Sequence, residues 1–210
     1  MQRASFINQA RVHNGYHYPR SVSTAVKSAN YYRRFSQDFS FAVNKQFRKV
    51  YAISSHDSLT NAEQFVKFCE YVDIPIEEIN SKHIFNTGMV EAAFDTLEFS
   101  YDANKIRSYF VEKLKEFSKV DVLYGQQLTQ TEVVADEYKL IFKDGRIMLS
   151  PFVVNATYAS LNQILNLFNY EMFKIKYEIC EVILTQANSF LKDTGVTIMD
   201  GPFFSRCRLV

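Results

Sequence analysis

Glycine is scarce in this chain, and its placement is restrictive. Six glycines occur in 210 residues, at positions 15, 88, 125, 145, 195 and 201. No two stand at the spacing of G-x-G-x-x-G or G-x-x-x-x-G-K-[ST], so the sequence contains no glycine loop that could wrap a phosphate. A chain that is 47% hydrophobic and 22% charged can still bury a sizeable core, as one large domain or two small ones, which excludes a disordered tail. No apolar run approaches the length of a membrane span. Cys69, Cys180 and Cys207 form no C-x-x-C pair, and no apolar run follows a basic start. Reduced thiols, a cytoplasmic location and no secretion are therefore expected.

The net charge of +1 conceals an uneven distribution. The first fifty residues hold nine Lys or Arg against the single acid Asp38, a balance of +8, which leaves −7 for the remainder. Such a segment can solvate an amphipathic helix, bind phosphate groups or meet nucleic acid.

Along the chain, residues 1–22 lack periodicity and read as an irregular, ligand-facing segment. From Ser23 to about Asn44 the spacing of Val26, Ala29, Tyr32, Phe35, Phe39 and Val43 predicts one long helix, capped by Ser21 or Ser23. Lys49 to Ser54 predicts a strand, and Thr60-Asn61-Ala62-Glu63 a capping box opening a helix to about Val72, ended by Pro75. Ile84 to Ser100 predicts one or two strands broken at Gly88, and Asp102 caps a helix carrying Ile106, Phe110, Leu114 and Phe117. Val120 to Tyr124 and Phe152 to Asn155 read as neighbouring buried strands. Between them, Thr129 to Ala135, Tyr138 to Phe142 and Arg146 to Leu149, turned at Asp144-Gly145, predict an antiparallel meander. Ala159 to Leu167 reads as helix, Met172 to Leu184 as a long strand, and Thr197 to Met199 as another. The order of elements gives a mixed α/β (α+β) fold of two intertwined lobes.

The densest polar cluster is Asn8-Gln9-Ala10-Arg11-Val12-His13-Asn14-Gly15-Tyr16-His17-Tyr18-Pro19-Arg20. His13 and His17 have the spacing of paired zinc ligands on a helix, but Gly15 and Pro19 oppose a helix and H-E-x-x-H is absent, so no metal is expected. Histidines bonded to loop backbone are one reading of the cluster. Binding of an anionic or ring-bearing cofactor is the other, since arginine forks match phosphate and a loop entering a helix presents backbone N–H groups. A second feature is Val153-Val154-Asn155-Ala156-Thr157, an apolar run ending in small polar residues, where α/β folds bind ligands. Tyr31-Tyr32-Arg33-Arg34 fits a helix with Tyr32 inward and the arginines in solvent better than a base-stacking surface.

Taken in order, these landmarks resemble the FAD-dependent oxidoreductases of the D-amino-acid-oxidase (DAO) family. His13-Asn14-Gly15 and Tyr16-His17-Tyr18 look like the family's loop after the second Rossmann strand, especially in the branch oxidising L-2-hydroxyglutarate. Val120 to Gly125, Leu128 and the meander look like the region over the adenine end of FAD, and Val153 to Thr157 looks like V-V-N-A-T-G, with Tyr158 where many relatives have Gly. Gly201-Pro202-Phe203-Phe204-Ser205 looks like a substrate-lobe segment. The family's G-x-G-x-x-G unit, its ribose-binding acid and its C-terminal flavin segment have no counterpart in the sequence, so a truncated fragment is expected.

The resemblance implies a partial Rossmann-like FAD domain over 1–47 and 102–169, and a substrate lobe with a mixed or antiparallel sheet over 48–101 and 170–210. It implies FAD contacts from Asn8, Gln9, Ala10, Arg11, His13, Gly15, Leu128, Ala156, Thr157 and Tyr158, with His17 and Tyr18 facing a small-molecule substrate. It implies oxidation of an amine or 2-hydroxy acid by hydride transfer to flavin, with no catalytic acid or base assigned and an inactive isolated fragment. The rival reading is a phosphate- or nucleic-acid-binding module using the basic N-terminal third. A salt titration separates the two, because the rival requires a steep linear loss of log affinity with log salt concentration.

Overall fold

The computed structural model describes residues 4, 6–179, 182, 183, 186, 189–199 and 204–206. Its elements in chain order are β1 (Arg11–Val12), α1 (Val22–Asp38), β2 (Val43–Asn44), β3 (Arg48–Ser54), α2 (Ala62–Val72), β4 (Ile76–Ile79), β5 (Val90–Thr96), β6 (Phe99–Tyr101), α3 (Ala103–Lys115), β7 (Leu128–Val134), β8 (Glu137–Phe142), β9 (Ile147–Ser150), α4 (Leu161–Leu167), β10 (Thr194–Met199) and β11 (Phe204–Arg206). The fold is mixed α/β, with three sheets among the described residues. Two compact units make up the chain: residues 1–116 with 182–210, and residues 117–181.

The first unit is organised by β3, whose residues 49–54 are all buried. It lies inside a five-stranded mixed sheet ordered β11-β10-β3-β5-β4, parallel to β10 and antiparallel to β5. Because side chains alternate across a strand, Tyr51 and Ile53 enter one core layer while Val50 and Ala52 enter the other. On the first face α2 contributes Phe65, Phe68, Cys69 and Val72, an i, i+3, i+4, i+7 stripe. Cys69 is a free, buried thiol whose pKa burial pushes up to about 12. A small antiparallel sheet, β1-β6-β2, sits beside this core and ties the N-terminal segment to the residues before α3.

Several expected elements appear with shifted ends. The first helix stops at Asp38 rather than near Asn44, because Val43 and Asn44 pair with Tyr101 and Ser100 instead. Its buried residues are Ala25 and Tyr32, while Val26 is exposed. Ser21 is the N-cap, but its hydroxyl bonds Thr24 rather than the helix backbone. The capping box of α2 is Asn61 with Gln64, one residue later than the Thr60–Glu63 frame. Thr60 is buried, and Glu63 pairs instead with Lys67 one turn on. Asp102 caps α3 as expected, accepting from the Asn104 and Lys105 amides. β4 is an edge strand absent from the sequence-based expectation, paired with β5.

The second unit contains the expected meander, β7-β8-β9, closed by Gly145 at φ +85°. Val120–Tyr124 and Phe152–Asn155 form no strand, which corrects the expectation of a buried pair. Nor do residues 172–179. An extended run becomes a strand only when a neighbour takes its backbone hydrogen bonds, and these runs have no strand partner among the described residues. The remaining part of the expected Met172–Leu184 strand and most of the 201–205 segment lie outside the described residues.

Gly15 fixes how the N-terminal segment meets α1. Its φ is +101°, and an added Cβ would stand 2.9 Å from the backbone oxygen of Ala25. Gly88 has a similar φ, +83°, but open space around it. Gly15→Ala is therefore expected to cost about 2 kcal/mol or more, against about 1 kcal/mol for Gly88→Ala, measured by urea unfolding.

Candidate functional site

The N-terminal cluster is held by one buried carboxylate. Glu98, 2% exposed, lies between β5 and β6 and accepts hydrogen bonds from the Asn14 backbone N–H (3.1 Å) and the Tyr51 hydroxyl (2.9 Å). Arg11 Nη1 stands 4.0 Å from Glu98 Oε2, and His13 Nδ1 stands 3.4 Å from Oε1 without the alignment of a hydrogen bond. Burial raises the pKa of Glu98, but His13, Arg11 and the Asn14 amide together outweigh it and hold the carboxyl below its ordinary value.

Arg11 is turned into the protein, with its side chain 4% exposed. Nη1 donates to the Tyr51 hydroxyl (3.2 Å) and Thr197 Oγ1 (3.0 Å), and Nη2 donates to Gln9 Oε1. Its Nε is buried with no acceptor among the described residues. Thr197 Oγ1 also receives Lys49 Nζ at 2.8 Å and lies 3.0 Å from Ser205 Oγ, which in turn donates to Gln9. β3 supplies Lys49 and Tyr51 on one face, and the parallel strand β10 brings Thr197 opposite Tyr51. The Lys49 ammonium also lies 5.4 Å from the Tyr51 ring centre.

His17 is partly buried, 5.7 Å from the His13 ring. Desolvation, reinforced by Arg11 and His13, lowers its pKa to about 4, so it is neutral at physiological pH. Tyr18 packs against the main core, and its ring meets His17 edge-on. Tyr16 is fully buried, donating to the Pro75 carbonyl and accepting from the Leu97 amide.

Asn8 bonds the Tyr101 hydroxyl and the Ala10 amide, and the Ala10 carbonyl accepts from Tyr101. Thus Gln9, Arg11 and His13 converge near Glu98 and Thr197, Asn8 and Ala10 fasten to β6, and Gly15 lies against α1. Leu128, Ala156, Thr157 and Tyr158 belong to the second unit. There Leu128 opens β7, the Thr157 hydroxyl bonds Asn155, and Tyr158 is exposed with φ +55°. Sequence reasoning missed Glu98, Lys49, Tyr51 and Thr197. The available signal was a lysine opening an otherwise apolar strand run, Lys49-Val50-Tyr51-Ala52-Ile53, and a lone acid among β-forming residues at 98.

No protein-family model and no curated protein matches the sequence. Solved structures do match in fold. L-proline dehydrogenase from P. horikoshii aligns with TM-score 0.55 at 16% identity over 91% of this chain and 52% of its own. Glycine oxidase from Geobacillus kaustophilus gives 0.56 at 10% identity, over 79% and 48%. Dithionite-reduced L-alpha-glycerophosphate oxidase from Mycoplasma pneumoniae, with FAD bound, gives 0.57 at 14%, over 79% and 47%. The chain thus spans about half the length of these proteins and shares their fold over that span. Among the described residues no helix is long and apolar enough to cross a membrane.

Two pH windows follow. His17 binds a proton more readily unfolded than folded, so stability is full above pH 6.5 and declines as pH falls toward about 4. Glu98 is held below its ordinary value of 4.5, so its contribution is present above that pH and declines below it. Urea unfolding across pH 7 to 3 should show His17→Asn flattening the upper window and Glu98→Gln the lower. At pH 7, Glu98→Ala should cost about 3–5 kcal/mol by leaving Arg11 without its buried counter-charge. Arg34→Ala, which breaks an exposed i, i+4 pair with Asp38, should cost under about 1 kcal/mol.

Proposed function

We propose that this chain forms part of an FAD-dependent oxidoreductase that oxidises an amine or 2-hydroxy-acid type substrate by hydride transfer to flavin. The observation that carries the reading is Arg11 Nε, a buried nitrogen without a hydrogen-bond partner among the described residues, two residues from His13, whose ring faces Glu98. Both lie on the segment that the DAO resemblance assigns to the cofactor. The fold shared with an FAD-bound oxidase, a dehydrogenase and a second oxidase supports it.

The residues fit a ring edge rich in acceptors better than a pyrophosphate. Both terminal nitrogens of Arg11 are already bonded inside the protein, whereas its Nε remains to be matched among the described residues. In this reading Asn8, Gln9, Ala10, Arg11, His13 and Gly15 lie along the cofactor, with Arg11 Nε directed to it. Leu128, Ala156, Thr157 and Tyr158 are the further cofactor-binding residues that the DAO resemblance implies. FAD, when bound, supplies the hydride-accepting ring, while the protein binds, orients and excludes water. His17, uncharged at neutral pH, and Tyr18 face a small-molecule substrate. Residues 1–47 and 102–169 serve the cofactor, residues 48–101 and 170–210 the substrate, and the protein works in the cytoplasm.

The isolated chain should hold FAD weakly, since it contains no glycine loop for the pyrophosphate. Fluorescence titration with FAD is expected to show His13→Ala raising Kd about tenfold or more, a loss of about 1.4 kcal/mol per tenfold step, with Arg33→Ala near wild type. Equal losses for the two variants, together with salt-steep binding of single-stranded DNA, would replace this reading with the electrostatic one.

A further inference from the structure

One cavity of the first unit is lined by none of the residues assigned to cofactor or substrate. It measures about 210 Å³ and lies between α1, the turn that ends α2, and Asn14 with Leu97. α1 brings Val26 and Arg33 to its wall, two turns apart on one helical face, and the α2 turn brings Val72, Asp73 and Ile74. Asn14 is buried and held twice, its backbone N–H donating to Glu98 and its side-chain amide to the Leu97 carbonyl, so this wall is preformed. The polar groups around the cavity lack partners. Arg33 and Asp73 carry opposite charges on different walls, yet among the described residues neither forms an ion pair or a side-chain hydrogen bond, with the other or with any third group. Tyr32, also in the wall, is 7% exposed, and its hydroxyl is buried without a partner among the described residues. Burial raises the pKa of the phenol, so the hydroxyl keeps its proton and can donate. Buried polar groups are as a rule hydrogen-bonded, and an exception calls for an explanation.

We propose that this cavity binds an aliphatic α-amino acid as its zwitterion, the carboxylate on Arg33 and Tyr32, the ammonium on Asp73, and the side chain against Val26, Val72 and Ile74. The charges call for both ends of such a ligand. Asp73 is the left-handed C-cap of α2, with φ +57°, where the helix dipole adds negative potential and favours a cation. A simple carboxylate would leave Asp73 unmatched, and a simple amine would leave Arg33 and Tyr32 unmatched. Size agrees as well. A cavity of about 150 Å³ holds a benzene ring, so about 210 Å³ suits roughly eight or nine non-hydrogen atoms, as in leucine. The proposal goes beyond the flavoenzyme reading and does not rest on it.

Calorimetric titration of the full chain at pH 7 tests it with three probes of one carbon skeleton. L-leucine should bind saturably, one molecule per chain. 4-Methylpentanoate, which lacks the ammonium, and isoamylamine, which lacks the carboxylate, should each bind about fivefold or more weakly. Arg33→Gln should bring leucine down to the affinity of isoamylamine, and Asp73→Asn to that of 4-methylpentanoate. Tyr32→Phe, which removes one oxygen, should weaken leucine about fivefold or more. Arg33 and Asp73 are exposed and asparagine tolerates the left-handed conformation, so Arg33→Gln and Asp73→Asn should unfold in urea as wild type does. No saturable leucine binding, equal affinities for the three probes, or variants that bind leucine as wild type does would each overturn the proposal. So would leucine binding that is lost in His13→Ala and kept in Arg33→Gln, because the ligand would then sit at the Glu98 site.

Discussion

A single carboxylate, Glu98, decides the arrangement of the first unit. Removing a charge from water costs several kcal/mol in real proteins, and it is tolerated only where geometry and hydrogen bonds compensate. The compensating groups come from separate parts of the sequence: the Asn14 amide and Arg11 from the N-terminal segment, and Tyr51 from the central strand. Arg11 passes the constraint on to Thr197, and Thr197 to Lys49 and Ser205. The N-terminal segment consequently has a fixed register against β3 and β10 although it contributes only two residues of strand. Irregular chain needs such anchoring to hold one conformation, because its own backbone supplies little stiffness.

Elements whose signals are local were legible in the sequence. The Asp144-Gly145 turn between alternating runs, the apolar 49–54 run and the Asp102 cap each carry their cause within a few residues. Elements decided by a distant partner were not. Val43 continues a helical spacing, yet pairing with Tyr101 draws it into a strand, and 120–124 and 152–155 have strand composition without a strand partner. The site divides the same way. Gln9, Arg11 and His13 announced themselves as a polar cluster, but the Arg11–Thr197 contact joins residues 186 positions apart and the Asn14–Glu98 contact 84 apart. No window along the sequence contains such a pair.

The parallel pairing of β3 with β10 sets the timing of folding. Arg48 stands opposite Thr194, 146 positions further on, so the central strand acquires one of its two neighbours only once residues 194–199 are available. Long-range parallel pairing is slow, because loop closure must precede the contacts that reward it. During synthesis at about 5–20 residues per second, Lys49 would wait roughly 7–30 seconds for the Thr197 hydroxyl while residues 117–179, none of them buried, emerge between them. The nascent chain is therefore most open to aggregation between the synthesis of β3 and that of β10, and chaperone engagement should concentrate on that interval.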